Sequence, residues 1–139
     1  EFNSTGGLVE VRIQQPPKNL GDPTFKKLKS RFAEALMSIG AVTGYSYGAG
    51  FATAEMKGLD YVADASNFGG MLGGISTGDD IVLTVSIKPS TSVGDVAKEG
   101  RHDPCIVPRV IPVLEAMVAL VLADAYLQQR SYDDFPTNA

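Results

Sequence analysis

The stretch Ile81-Val82-Leu83-Thr84-Val85-Ser86-Ile87 runs directly into Lys88-Pro89-Ser90-Thr91-Ser92. Ile81, Leu83, Val85 and Ile87 share one side of an extended chain, and Thr84 and Ser86 the other, because side chains alternate along a strand. This is the clearest strand signal in the sequence. Residues 8–13 repeat the pattern, with Val9, Val11 and Ile13 on one face and Glu10 and Arg12 opposite, and residues 41–47 are β-like. Residues 24–39 carry Phe25, Leu28, Phe32, Leu36 and Ile39 at three- and four-residue steps, the period of an amphipathic helix. Asp22 and Pro23 are expected to cap its start, and Gly40 to close it in a left-handed conformation. Lys26, Lys27, Lys29 and Arg31 on its other face read as a solvated charge run.

Residues 51–56 are expected to form one or two helical turns, and residues 60–68 show no clear period. Residues 111–128 read as a long apolar helix. Its most apolar part, residues 113–123, is interrupted by Glu115, closed by Asp124 and too short for a bilayer, so a buried helix is expected. Strands and helices are mixed without clean βαβ alternation, and neither repeat nor domain boundary is visible. The reading is a single α+β domain over residues 1–139.

Composition narrows the function classes. With 139 residues, 44 % apolar and 20 % charged, the chain can bury a core, and its net charge of −4 argues against a nucleic-acid or anionic-membrane binder. One cysteine, Cys105, and one histidine, His102, exclude a disulfide framework and cysteine- or histidine-rich metal sites, so no metal is expected. The lone cysteine fits a reducing compartment such as the cytoplasm. Beside Ile106 and Val107, Cys105 is expected to be buried and inert. The chain opens on Glu1-Phe2, which resembles a cloning or processing scar, so a piece of a longer protein is expected.

Three constellations could carry chemistry. Gly69-Gly70-Met71-Leu72-Gly73-Gly74 lets backbone approach a ligand closely, or permits a tight bend; it lacks the Lys-Ser/Thr of a P-loop. Lys88-Pro89-Ser90-Thr91-Ser92 offers one ammonium and three hydroxyls, a phosphate grip, or simply a polar loop with a lysine at its mouth. Arg101-His102-Asp103-Pro104 pairs a guanidinium suited to phosphate or carboxylate with an ionised acceptor or base; the alternative is a surface turn with a local ion pair. His102 reads as a structural residue, and Tyr45 and Tyr47 as surface or interface packing. Nothing in the sequence makes a defensible Ser-His-Asp or Cys-His triad.

Gly100-Arg101-His102-Asp103-Pro104-Cys105, continuing through Val107-Pro108-Arg109 and residues 112–124, resembles the C-terminal signature of the chorismate synthase family. Residues 69–76 resemble its Gly-Gly-Ile-Leu-Gly-Gly-Ile-Ser segment and residues 88–92 its Lys-Pro-Thr-Ser-Ser. Residues 35–44 and 6–12 match two further segments. These ordered motifs cover residues 6–128, leaving 129–139 as a tail.

The resemblance implies part of a β-α-β sandwich, the C-terminal portion of a homotetrameric, cytoplasmic lyase of the shikimate pathway, which leads to the aromatic amino acids. That family eliminates phosphate and a proton from 5-enolpyruvylshikimate 3-phosphate to give chorismate. It needs reduced FMN without net redox change, NADPH being the reductant the family draws on. Carried over residue by residue, Gly40, Ala41, Gly73, Lys88, Pro89, Ser90, Thr91, Ser92 and Arg101 are implied flavin contacts. Arg101 is also an implied substrate contact, and Asp103 the catalytic aspartate near the flavin.

The sequence departs from the family pattern in the hydroxyl order Ser90-Thr91-Ser92, in Asn67-Phe68, and in a shortened connection over residues 93–100. The family's N-terminal histidines and arginines have no counterpart here. A non-catalytic flavin- or anion-binding module and an assembly domain are the alternatives; the joint presence of Lys88, Arg101 and Asp103 favours the enzyme over the assembly domain. The resemblance also implies that Gly73, residues 88–92 and residues 101–103 converge on one concavity.

Overall fold

In the computed structural model, which describes residues 3–95 and 104–134, the sequence 81–87 is the centre of the fold. Among the described residues five strands form: β1 (Gly7–Ile13), β2 (Val42–Tyr47), β3 (Met71–Leu72), β4 (Ile75–Ser76) and β5 (Ile81–Ile87). The main sheet is antiparallel in the order β1-β5-β2, so β5 is paired along both edges. Ile81, Leu83, Val85 and Ile87 are buried on its inner face. Val9 lies opposite Val85 and Val11 opposite Leu83, which continues that face onto β1.

A register shift between Val42 and Gly44 does the same for β2. An extra residue in one strand reverses which side chains point inward, so Val42 and then Tyr45 and Tyr47 all turn to the core side. Gly44 is left facing Ser86, whose Oγ would stand 2.7 Å from any Cβ placed there.

Helices α1 (Leu28–Met37) and α3 (Val107–Asp133) cover the inner face, while the short α2 (Gly58–Ala63) lies outside the core. Leu28, Phe32 and Leu36 recur every four residues on α1; Val110, Leu114, Val118, Val121 and Ala125 form the matching stripe of α3. Of the expected charge run only Lys29 and Arg31 fall on α1, and neither is simply solvated. The Arg31 guanidinium, 15 % exposed, binds Asp124 and donates to Gln128 of α3 at 3.1 Å. Lys29 donates to the Tyr47 hydroxyl at 3.2 Å, and the Tyr45 hydroxyl donates to the Lys29 carbonyl at 3.2 Å. Burial, and then the neighbouring Tyr47, push the Tyr45 hydroxyl above the ordinary phenol range.

Other expectations change at element ends. The helix expected over residues 24–39 starts at Leu28, and Asp22 caps nothing: its N–H bonds the Lys26 carbonyl at 3.1 Å within a turn. Phe25, with φ 55°, is 92 % exposed rather than part of the apolar face. The first free N–H of α1, on Leu28, is satisfied from outside by the Gly74 carbonyl at 2.7 Å. Closure at the other end falls to Ser38 in a right-handed conformation, and Gly40 does not adopt the left-handed one.

The glycine cluster resolves as structure. Gly73 and Gly74, with φ of 60° and 87°, make the two-residue turn between β3 and β4. Two consecutive positive φ values are what a primed hairpin turn demands. Gly69 and Gly48 are forced by a close approach, since a Cβ on Gly69 would stand 2.4 Å from the Gly48 nitrogen. These two glycines pinch the base of an excursion holding a 3₁₀ turn (Gly50–Glu55), α2 and a second 3₁₀ turn (Ala65–Phe68).

Helix α3 is longer and less covered than expected. Its 27 residues make it long and apolar enough to cross a bilayer by length and composition, correcting the expectation that the stretch is too short. It is not a buried helix either: Ile111, Leu120 and Leu127 are exposed outside the packed stripe. Pro108 sits in the first turn, where it costs no hydrogen bond.

Leu114 is fully buried between α3 and the rest of the core. Leu114→Ala should lower unfolding free energy by about 2–5 kcal/mol in urea denaturation; a loss below about 1 kcal/mol would mean that α3 is not cooperative with the sheet.

Candidate functional site

At the end of β5 the chain has to turn, and the position of that turn is fixed by one bond. The Lys88 N–H donates to the Ala41 carbonyl at 2.9 Å, joining the first residue after β5 to the residue before β2. Antiparallel pairing thus sets residues 88–91 beside residues 39–41, and the first turns of α3 close the third side. Between them is a cavity of about 540 Å³ lined by Ile39, Gly40, Ala41, Lys88, Pro89, Ser90, Thr91, Pro104, Ile106, Arg109, Val110 and Val113. This volume lies in the usual range for a small-molecule site.

The cavity has two kinds of wall. Ile39, Ala41, Ile106, Val110 and Val113 are apolar; Lys88, Ser90, Thr91 and Arg109 supply two cations and two hydroxyls. The Ser90 Oγ is buried and has no hydrogen-bond partner. Its carbonyl accepts from the Ser4 hydroxyl at 2.5 Å, so the backbone is held while the side-chain hydroxyl is left unsatisfied. An unpaired buried hydroxyl is costly unless a bound group or water completes it. Ser90 also borders an adjoining cleft of about 390 Å³ lined by Asn3, Ser4, Thr5 and Cys105.

Of the sequence-derived flavin positions, Gly40, Ala41, Lys88, Pro89, Ser90 and Thr91 therefore meet in one cavity. Ser92, half-buried, does not line it. Gly73 is not brought there either. It sits at the tip of the β3–β4 hairpin, whose Gly74 holds the start of α1, whereas Ile39 and Gly40 line the cavity past its end. Ten residues of helix, about 15 Å, separate the two. The expected convergence of Gly73 with residues 88–92 is thus not found within this chain.

Arg101 and Asp103, with His102, lie outside the described residues. Cys105 is exposed, contrary to its expected burial, because it precedes α3 at the rim of the second cleft. Arg109 stands within the family-like signature, but the sequence assigns it no role. The available signal was its position one residue before buried Val110, on the first turn of a helix whose start faces the lysine-hydroxyl loop. Among the described residues no group of acidic, histidine or cysteine side chains could hold a metal ion.

A smaller concavity of about 270 Å³ lies on β2, bounded by Tyr45, Tyr47, Phe51 and Tyr61. It contains none of the positions singled out for an anionic ligand.

Known proteins resemble this chain in sequence and in fold. The family model for chorismate synthase matches residues 1–127. The chorismate synthase of Bdellovibrio bacteriovorus is 55 % identical over 129 residues, covering 92 % of this chain and 38 % of that protein. That of Archaeoglobus fulgidus is 45 % identical over 154 aligned positions, covering 93 % of this chain and 43 % of its own length. The longer alignment at equal coverage means that the archaeal protein carries residues which this chain lacks. A solved structure, "Crystal Structure of Chorismate Synthase", superposes with a TM-score of 0.76 at 33 % identity, covering 91 % of this chain and 38 % of that one. The chain spans about two-fifths of the length of these relatives. Sequence motifs, a family model matched over residues 1–127 and the fold agree, and this chain belongs to the chorismate synthase family.

Proposed function

We propose that this chain supplies the flavin-holding part of a chorismate synthase active site, in an enzyme that eliminates phosphate from 5-enolpyruvylshikimate 3-phosphate. The observation that carries the reading is the meeting of Gly40, Ala41, Lys88, Ser90 and Thr91 around one cavity, held in place by the backbone bond from Lys88 to Ala41. The residues fit reduced FMN on their own chemistry. The orphaned Ser90 hydroxyl and the Lys88 ammonium suit an anionic group, and the Ile39, Val110 and Val113 wall suits a planar apolar one.

Bound reduced flavin supplies electron density for breaking the C–O bond, with no net redox change. The chain's own part is to bind and orient. Lys88 neutralises negative charge at the cavity mouth, the hydroxyls of Ser90 and Thr91 donate hydrogen bonds, and the apolar wall keeps water from one side. Arg101 is assigned to the flavin and the substrate, and Asp103 to proton removal, both by resemblance. Assembly as a homotetramer and a cytoplasmic setting belong to the same proposal. The exposed apolar residues of α3 outside the cavity, Ile111, Leu120 and Leu127, support a partner surface there.

Two experiments test this reading. The purified chain, given reduced FMN and 5-enolpyruvylshikimate 3-phosphate, should release neither chorismate nor phosphate, because the family's N-terminal histidines and arginines have no counterpart in it. Turnover comparable to a full-length relative would show that the chemistry resides in the residues present. In an enzyme completed with the rest of a family member, Asp103→Asn should lower turnover by roughly 10²–10⁴ while FMN affinity changes little. An unchanged turnover number would remove Asp103 from the mechanism.

A further inference from the structure

Two cations line the same cavity, and among the described residues no carboxylate pairs with either. Among the described residues neither the Lys88 ammonium nor the Arg109 guanidinium has an ion-pair or side-chain hydrogen-bond partner, whereas Arg12, Arg31 and Arg130 each have a carboxylate. Lys88 enters from the end of β5 and Arg109 from the first turn of α3, so they approach from different elements. The third polar feature is the buried, unpartnered Ser90 hydroxyl. Like charges gathered in one concavity raise its positive potential, and an anion entering there gains from both.

We propose that Arg109 is a further ligand-binding residue of this site, forming with Lys88 and Ser90 a clamp for the phosphate of the bound flavin. The inference rests on the reading of the cavity as a flavin site. A guanidinium contributes what an ammonium cannot, two parallel N–H donors matched to two phosphate oxygens. Among the described residues the Arg109 side chain has no hydrogen-bond or ion-pair partner, while its backbone N–H bonds the Ile106 carbonyl at 2.9 Å, so the helix start does not call on the guanidinium.

The test is an NMR titration of the full 139-residue chain, following the Arg109 side-chain N–H, the Ser90 amide and the Val110 and Val113 methyls. The probes are FMN, riboflavin, which lacks the phosphate, and inorganic phosphate. FMN should move all of these signals, phosphate only those of Arg109 and Ser90, and riboflavin only the methyls. Arg109→Gln should weaken FMN binding about tenfold to a hundredfold and leave riboflavin binding unchanged. Arg109→Lys, keeping the charge but not the fork, should fall between.

Equal FMN affinity in wild type and Arg109→Gln, with affinity lost in Lys88→Ala, overturns the clamp and leaves the flavin reading intact. Phosphate engaging Arg109 while FMN and riboflavin leave the methyls unmoved overturns the flavin reading and keeps an anion site. No shift at Arg109 with phosphate or FMN at tens of millimolar overturns the clamp outright.

Discussion

Most of this structure follows from β5 being paired along both of its edges. A strand held on two sides cannot slip by one residue without turning Ile81, Leu83, Val85 and Ile87 out of the core. Its end is therefore as fixed as its centre, and the Lys88–Ala41 backbone bond passes that fixity to the loop beyond. The cavity inherits its shape from this bond: the polar wall hangs from the end of β5, and the apolar wall is the continuation of the core through Ile39, Val110 and Val113. A loop carrying Lys88, Ser90 and Thr91 on a frayed strand would have to be ordered by its ligand at an entropic cost.

Helix α1 links two ends of the molecule that do different jobs. Its first turn is held by the β3–β4 hairpin through Gly74, and the chain leaving its last turn lines the cavity. The hairpin is in turn tied down by the buried Ser76, whose hydroxyl donates to the Pro17 carbonyl at 2.6 Å and accepts from the Leu20 N–H at 2.9 Å. Side-chain contacts along α1 keep the spacing constant: Arg31 bridges to α3, and Lys29 lies 5.5 Å from the centre of the Tyr47 ring. The glycines of the hairpin thus act on the site at a distance of a helix length, by fixing where α1 begins.

The strands were legible in the sequence because period-two alternation in Val9 to Ile13 and Ile81 to Ile87 has no competing explanation. The inward turn of Tyr45 and Tyr47 was not, since it depends on a bulge that only the partner strand reveals. Local capping rules misplaced the start of α1: Asp22 and Pro23 satisfy them, yet the tertiary bond from Leu28 to Gly74 sets the true start. The lysine-hydroxyl loop was visible as a candidate grip, because its composition alone suits an anion. Arg109 was hidden because a single exposed arginine at a helix start has many ordinary uses, and only the cavity gives it one. Gly73 shows the converse: its motif resembles a segment of the family, while its position in this chain is explained by the turn it makes.

The central claim is that the end of β5 is built to hold a flavin for chorismate synthesis. The most direct measurement replaces the matching two-fifths of the Bdellovibrio bacteriovorus protein with this chain and assays chorismate formation in the chimera, with and without Lys88→Ala. The account predicts an active chimera whose FMN affinity falls when Lys88 is truncated. A folded chimera that binds FMN as tightly after Lys88→Ala, or forms no chorismate while the parent does, would contradict it.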